Sequence, residues 1–412
     1  MRAPHELRSS FLALALVTLA TLGAACGGGS QTETSGEGAA GGGGTTATGG
    51  NGTGGATGGN GTGGNGTGGA TGGNGTGGAT GGTGGVDPSG LGGNGAWCKP
   101  IPACDAAPPT AEKLPWKHDI LSPIIASGTP SHRGRDLFVN PLDPQWIIGK
   151  FAYSTPPIEL DKDLKDEQVD IYLLRNCEGP WEHLGSGFTT EDNMHPKEEG
   201  VDDSGGRIYF QIPEDKKLGL GRHRVHMIVR GDLTTADLYI EVVPQGTPMF
   251  VSDVDGTLTT YETEEFVALL TGAIPEVNTD APNAFQILAA KGYHPMYLTA
   301  RPEYLVYRTR EFLAQKGFPP GIVHTTLSLT GATGASAETY KTGELTMIGA
   351  RGLDPTYGFG NTQSDGDAYD NEGIQPLASR IFFQFDDANG GRRIESYSEL
   401  LSEFQALPSL CP

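Results

Sequence analysis

The chain has 412 residues, with 49 acidic side chains against 28 basic ones and a formal net charge of −21. That balance argues against nucleic acid as a partner and against adhesion to anionic lipid by bulk charge. It does not exclude a local basic pocket.

At the amino terminus, Arg2 and Arg8 precede an apolar run from Phe11 to Ala25, followed by Cys26. The run falls short of the ~20 residues that span a bilayer, so residues 1–26 read as an export signal. "LGAAC" resembles the bacterial lipobox, which implies lipidation of Cys26 and a bacterial cell-envelope protein, exported and lipid-anchored to a membrane. The alternative is an ordinary cleaved signal with Cys26 incidental. Residues 27–96 are Gly-, Thr- and Asn-rich repeats such as "TGGNGTGGATGG". With no recurring apolar side chain to offset the entropy of ordering, they are expected to form a flexible tether spanning on the order of 45 Å. The Asn-Gly-Thr triplets at Asn51, Asn60, Asn65 and Asn74 read as repeat composition.

Residues 97–246 form the next unit. "WIIGKFAYS", "VDIYLLRNC", "GRIYFQIP", "HRVHMIVRGD" and "DLYIEVVP" are β-branched and aromatic runs separated by Gly, Pro and Asp clusters. They predict an antiparallel β-sandwich. His223 and His226, three apart on one strand, are expected on opposite faces, where they cannot share a metal. Beyond the lipobox, four cysteines remain: Cys98, Cys104, Cys177 and Cys411. An even count is read as two disulfides with three possible pairings. Cys98 with Cys104 closes the shortest loop, and Cys177 with Cys411 would then tie the two domains together. No His or Cys pair has zinc-site spacing.

From 247 to 412 the pattern changes to strand–helix alternation. "MFVSDVDG" and "HPMYLTAR" read as strands, "NAFQILAAKGY" and "EYLVYRTREFLAQKG" as helices closed by Gly292 and Gly317, and "LTMIGARG", "TYGFGNTQSD" and "RIFFQFD" continue the alternation. This order predicts an open parallel α/β sheet with chemistry at the carboxyl ends of its strands. At the first such end stand Asp253 and Asp255 in "DVDGT", two carboxylates placed for nucleophilic and acid/base work.

That stretch resembles the DxDGT motif of the haloacid dehalogenase (HAD) superfamily, most of whose members are phosphatases. The resemblance implies Asp253 as nucleophile, Asp255 as acid/base, and Gly256 and Thr257 as the turn beside the phosphate. It further implies Thr299 and Lys341 as phosphate holders. Asp365, in "FGNTQSDGDAY", is implied as a metal ligand that joins Asp253 and the Asp255 carbonyl around Mg²⁺; Asp367 and Asp370 are fallbacks. "DVDGTLT", "YLTARPEYLVYRTREFL" and "PPGIV" narrow the resemblance to the lipin/Ned/Smp homology domain, found in lipin phosphatidate phosphatases and in the retinal-degeneration-B/Nir class of phosphatidylinositol transfer proteins. The preceding "DEQVDIYLL" through "HRVHMIVRGD" resembles the segment before that domain in the Nir class. Nir-type domains typically lack the complete aspartate pair and bind phosphatidic acid; here the pair is intact.

About 40 residues separate Asp255 from Thr299, and about 40 more reach Lys341. Core elements fill most of both gaps, which predicts a capless Rossmannoid fold open to a bulky phosphomonoester such as a lipid headgroup. Arg301 and Arg308 are candidates for gripping a second anionic group, Arg308 reading better as helix-surface charge. The expectation is an Mg²⁺-dependent phosphatase; its rivals are a phosphatidic-acid sensor without turnover and an adhesion or scaffold role for the sandwich.

Overall fold

The computed structural model describes residues 100–155, 160–260, 273–353, 355–386 and 389–410. The export segment with Cys26, the Gly-rich repeats, Cys98 and Cys411 lie outside the described residues.

A short helix α1 (Leu121–Ile125) precedes a set of strands that pair antiparallel, except that the third runs parallel to the last. They are β1 (Thr129–Pro130), β2 (Arg133–Gly134), β3 (Leu137–Val139), β4 (Trp146–Lys150), β5 (Ala152–Thr155), β6 (Leu160–Asp163), β7 (Gln168–Leu174), β8 (Glu182–Phe188), β9 (Arg207–Gln211), β10 (Gly221–Val229) and β11 (Thr235–Val242). A five-stranded sheet, β3-β11-β10-β7-β8, faces two three-stranded sheets, β2-β4-β9 and β1-β5-β6. The core between them is built by alternation: Val225, Met227 and Val229 of β10 point inward with Val169, Ile171 and Leu173 of β7. His223 shares the inward parity, and its ring bonds the Gly219 carbonyl, whereas His226 turns outward to Asp237. The two are on opposite faces, as their spacing predicts. β8, "EHLGSGF", was not among the predicted strands because its two glycines erase the β-branched signal.

The cysteine pairing differs from the expectation that favoured the shortest loop. Cys104 is bonded to Cys177, 73 residues away, with Cα atoms 4.5 Å apart. The strap that carries Cys104 lies along the five-stranded sheet. Arg224 Nη1 donates to the carbonyls of Cys104 (3.0 Å) and Ala106 (3.2 Å), and Trp181 Nε1 donates to that of Ala107 (2.8 Å). These contacts bring Cys104 to the turn Arg175–Cys177, so neither Cys98–Cys104 nor Cys177–Cys411 forms.

The second domain is a six-stranded, all-parallel sheet in the order β14-β13-β12-β15-β16-β17. Its elements in chain order are β12 (Met249–Ser252), α2 (Ala281–Ala290), β13 (His294–Pro302), α3 (Val306–Gln315), β14 (Ile322–Thr326), α4 (Ala335–Gly349), β15 (Pro355–Gly360), α5 (Gln363–Asn371), β16 (Arg380–Phe383), β17 (Arg392–Ile394) and α6 (Ser398–Ala406). Helices cover both faces, so β12 is apolar on both: Phe250 joins one core with Phe285 and Tyr397, while Met249 and Val251 join the other with Leu345 and Ile348. Phe138 of the sandwich is buried in that second core. The two domains therefore share apolar packing. Among the described residues, everything between Asp255, Thr299 and Lys341 belongs to these core elements and their loops, with no inserted cap.

Candidate functional site

The chain leaves β12 to β13 on one side and reaches β15 on the other, so β12 is the point where strand order reverses. Ligand sites in open α/β sheets form beyond the strand ends at such a point. Asp253 follows the last residue of β12, and its N–H bonds the Phe359 carbonyl of β15 at 2.9 Å. Tyr369 of α5 donates to the same carbonyl at 2.6 Å. Gly256, at φ 73°, then takes the left-handed turn that points Asp255 back over the strand ends.

Asp253 is buried and each of its oxygens has a partner. Lys341 Nζ donates to Oδ1 at 2.6 Å, and the Thr257 hydroxyl donates to Oδ2 at 3.2 Å. Lys341, on the buried stripe of α4, also bonds Asp365 Oδ1. One ammonium thus lies between two carboxylates. Burial pushes the Asp253 carboxyl up to about 7; Lys341 pulls against that rise, and Asp365 and Asp255 add to it. Burial works against the charge on Lys341 as well, but Asp253 and Asp365 outweigh it and raise its pKa. The directions agree on the physics: two buried acids share one base, leaving an excess of negative charge.

Asp365 is fully buried at the start of α5. Its Oδ2 accepts from the Asn361 N–H (3.1 Å), the Thr362 N–H (3.1 Å) and the Thr362 hydroxyl (2.8 Å), a capping box that fixes the carboxylate and the helix start together. Gly360 is required beside it, since a Cβ there would lie 2.4 Å from the Cβ of Asp365. Asn361 accepts from the Thr257 hydroxyl at 2.8 Å, linking β15 to the turn after Asp253.

Asp255 is the member of the cluster that meets solvent, with its side chain 25% exposed. The Thr299 hydroxyl donates to Oδ2 at 3.0 Å, and Arg301 grips both oxygens, Nε at 3.0 and 2.9 Å and Nη2 at 2.7 Å. The third guanidinium nitrogen donates to Thr309 of α3 at 2.9 Å. Arg301 was expected to reach outward to substrate. It is instead buried against Asp255 with its donors engaged, and it acts on the site through that carboxylate. Arg308 turns to Glu311 and the Ala273 carbonyl, a helix-surface charge. Asp367 bonds Gln363 and Asn389, and Asp370 pairs with Arg380, so neither fallback joins the cluster.

Thr309, Asn361, Thr362 and Tyr369 were not singled out in the sequence. For Thr362 a signal existed, because "TQSD" is a Thr-x-x-Asp helix start. Asn361 carries none because its partner Thr257 lies 104 residues away, and the bond from Arg301 to Thr309, eight residues on, follows no recurring motif.

Comparison with known families bears directly on this arrangement. Residues 130–242 match the family described as "PITM 1-3, beta-sandwich domain", and residues 250–383 match "PITM 1-3, LNS2 domain". The chain carries the β-sandwich and LNS2 domains of the PITM 1-3 family. The LNS2 domain is a member of the HAD-like superfamily, in keeping with the parallel sheet and the DxDGT turn. Among relatives, human membrane-associated phosphatidylinositol transfer protein 1 is 31% identical over 216 residues, covering 52% of this chain and 16% of that protein. Protein retinal degeneration B of Drosophila melanogaster is 28% identical over 277 residues, 66% of this chain and 19% of that protein. The chain thus spans less than a fifth of the length of either. A solved structure, amylomaltase from Corynebacterium glutamicum, overlaps with a TM-score of 0.16 at 14% identity over 40% of this chain and 20% of that one, too little to bear on the fold.

These relatives correct one expectation. They are animal proteins named as membrane-associated or as retinal degeneration B, and the bacterial cell-envelope location read from the amino terminus is not supported by them. Among the described residues no helix is long and apolar enough to cross a membrane.

Proposed function

We propose that the LNS2 domain hydrolyses a phosphomonoester carried on a lipid, with phosphatidic acid as the leading candidate. A lipid-related role is supported by the domain and by relatives named as phosphatidylinositol transfer proteins. The observation that carries the catalytic reading is the intact and separately partnered aspartate pair: Asp253 between Lys341 and Thr257, Asp255 between Arg301 and Thr299.

In this mechanism an Asp253 oxygen forms a bond to phosphorus as the bond to the lipid oxygen breaks, leaving an aspartyl-phosphate. Asp255 gives a proton to the departing oxygen, then takes one from the water that cleaves the acyl-phosphate and returns Asp253 as a carboxylate. Lys341 and the Thr299 hydroxyl neutralise and orient the phosphoryl oxygens. Thr257 and Asn361 keep the attacking carboxylate at the strand end. Among the described residues no group of three or more His, Cys, Asp or Glu side chains surrounds a metal position. The donors that fit a hard divalent ion are the Asp253 and Asp365 carboxylates and the Asp255 carbonyl, an all-oxygen set with surplus negative charge. When bound there, Mg²⁺ would supply charge neutralisation for the transferring phosphoryl group.

The test is phosphate release by the full chain from phosphatidic acid in mixed micelles and from an aryl phosphate, with and without Mg²⁺. Release that needs Mg²⁺ and drops at least about 10³-fold in Asp253→Asn is expected. Burial disfavours the charge at Asp253, so the variant is expected to stay folded. A folded protein that binds phosphatidic-acid liposomes but releases nothing would instead support a lipid sensor. The two-point hold of Arg301 on Asp255 favours that second reading, because it occupies the carboxylate that must move a proton.

A further inference from the structure

The sandwich contributes buried cations to the junction with the LNS2 domain, and they fall in particular places. Arg207 of β9 grips Glu303 with Nη1 at 2.9 Å and Nη2 at 3.1 Å, and Arg133 of β2 adds Nη2 at 3.3 Å. Arg135 holds both oxygens of Glu344, at 2.7 and 2.6 Å, with His324 Nδ1 completing that carboxylate at 2.6 Å. These side chains are nearly all out of solvent: Arg133 3%, Arg207 4% and Arg135 6% exposed.

Glu303 is two residues beyond Arg301, in the turn that ends β13 and leads into α3. Glu344 is one helical turn beyond Lys341 on the buried stripe of α4. The two acids that receive the sandwich arginines therefore stand on the two segments that carry the site's two cations. One route runs from Arg133 and Arg207 through Glu303 to Arg301 and Asp255. The other runs from Arg135 through Glu344 to Lys341, Asp253 and Asp365. A third bidentate contact, Arg310 to Asp136, anchors α3 beside Thr309, the residue that holds the remaining nitrogen of Arg301.

Resting on the phosphohydrolase reading, we infer that Arg133, Arg207 and Arg135 of the β-sandwich are positioning residues for the phosphoryl site, acting through Glu303 and Glu344 on Arg301 and Lys341. The sandwich is then part of the catalytic unit rather than a separate binding module. Two rigid segments fixed by short buried ion pairs can hold the site cations within the fraction of an ångström that phosphoryl transfer requires. A general role in holding the domains together would not select these segments. The pair Arg351–Glu199 also joins the domains, yet it lies past the far end of α4 and leads to no site residue. It supplies the control.

The experiment uses the full chain with Glu303→Gln, Glu344→Gln and Glu199→Gln, the pair Arg207→Ala and Arg207→Lys, and Arg301→Lys for assignment. Each is checked for folding by near-ultraviolet circular dichroism. Three readouts follow: the Nε–H resonance of Arg301 in ¹⁵N-arginine-labelled protein, assigned by its loss in Arg301→Lys; affinity for inorganic phosphate with Mg²⁺; and kcat with KM for phosphate release. Glu303→Gln is expected to shift or broaden the Arg301 Nε–H signal and lower kcat about tenfold with KM nearly unchanged. Glu344→Gln is expected to weaken phosphate binding about tenfold. Glu199→Gln should leave all three readouts as in the wild type, however much it lowers the Tm. Arg207→Lys should restore part of what Arg207→Ala loses in kcat. If folded Glu303→Gln and Glu344→Gln show the wild-type Nε–H signal and phosphate affinity, the positioning role is wrong. If the wild type releases no phosphate from any substrate, the phosphohydrolase reading fails, and the Nε–H comparison still decides whether the sandwich sets Arg301.

Discussion

In the LNS2 domain the buried charges gather beyond the strand ends, where Asp253, Asp365 and Lys341 crowd together with more acid than base. On the sandwich side of the junction, Arg133, Arg135 and Arg207 each find a carboxylate of the other domain, and Arg133 holds Asp161 of its own domain as well. The first set is left with charge to neutralise, which suits binding and chemistry. The second set is nearly closed, two guanidinium Nε atoms (Arg133 and Arg135) being buried without a partner. Burial alone does not separate a site from a scaffold; the balance of sign within each cluster does.

Breaking a junction pair tests that difference most severely. Glu344→Ala leaves Arg135 buried without its carboxylate and is expected to lower stability by about 3–5 kcal/mol in urea unfolding. Arg135→Met combined with Glu344→Leu removes both charges and should recover most of that loss. On the exposed pair Lys197–Asp202, with side chains 57% and 71% exposed, Asp202→Ala should change stability by no more than about 0.5 kcal/mol. A loss at Glu344 as small as the one at Asp202 would remove the distinction between the junction and ordinary surface charge.

Acid separates the two clusters by sign. Glu303 and Glu344 are both buried, which works against their charge, yet the arginines beside them, with His324 at Glu344, outweigh burial and hold each down to about 2 from 4.5. A depressed carboxylate contributes stability that is fully present above its unfolded pKa and lost as pH falls through the folded value. The junction should therefore weaken between about pH 4.5 and 2, by on the order of 3 kcal/mol for each group. Asp253 runs the other way: raised from 3.8 to about 7, it favours the folded state more at low pH, and that contribution is lost as pH rises across the same interval. Urea midpoints from pH 7 to pH 3 should shift less in the destabilising direction for Glu303→Gln than for the wild type. For Asp253→Asn they should fall, because the contribution that offsets the two glutamates in the wild type is gone.

The division between what was legible and what was not follows the same line. The sandwich core was readable because Val225, Met227 and Val229 repeat every second residue, and the LNS2 strands because β12 and β13 are apolar runs ending in polar residues. The site positions were readable because each sits at a strand end or on a helix that follows one. The partners were hidden. Nothing near Arg301 in sequence shows that its guanidinium closes on Asp255, 46 residues earlier, and nothing near Glu344 points to Arg135, 209 residues away. The same reason explains the cysteines: loop length favours Cys98–Cys104, but the path of the strap along β10 decides in favour of Cys177.

A smaller effect asks whether the turn after Asp253 is shaped for the site or merely tolerated by it. Gly256 at φ 73° and Gly373 at φ 76° share the left-handed conformation, one between Asp255 and Thr257, the other just past α5 with open space where a Cβ would sit. An L residue in this region costs about 1–2 kcal/mol, so Gly256→Ala and Gly373→Ala should lower stability by similar amounts in urea. Asn tolerates the conformation better, and Gly256→Asn should lose less than Gly256→Ala. Phosphate release should part the two positions. Relaxation of the strain at Gly256 swings Asp255 against the fixed guanidinium of Arg301 and shifts Thr257 from Asp253, whereas Gly373 relaxes into solvent. Equal activity in Gly256→Ala and Gly373→Ala would mean that the turn serves folding alone, and that Arg301 and Thr299 suffice to aim Asp255.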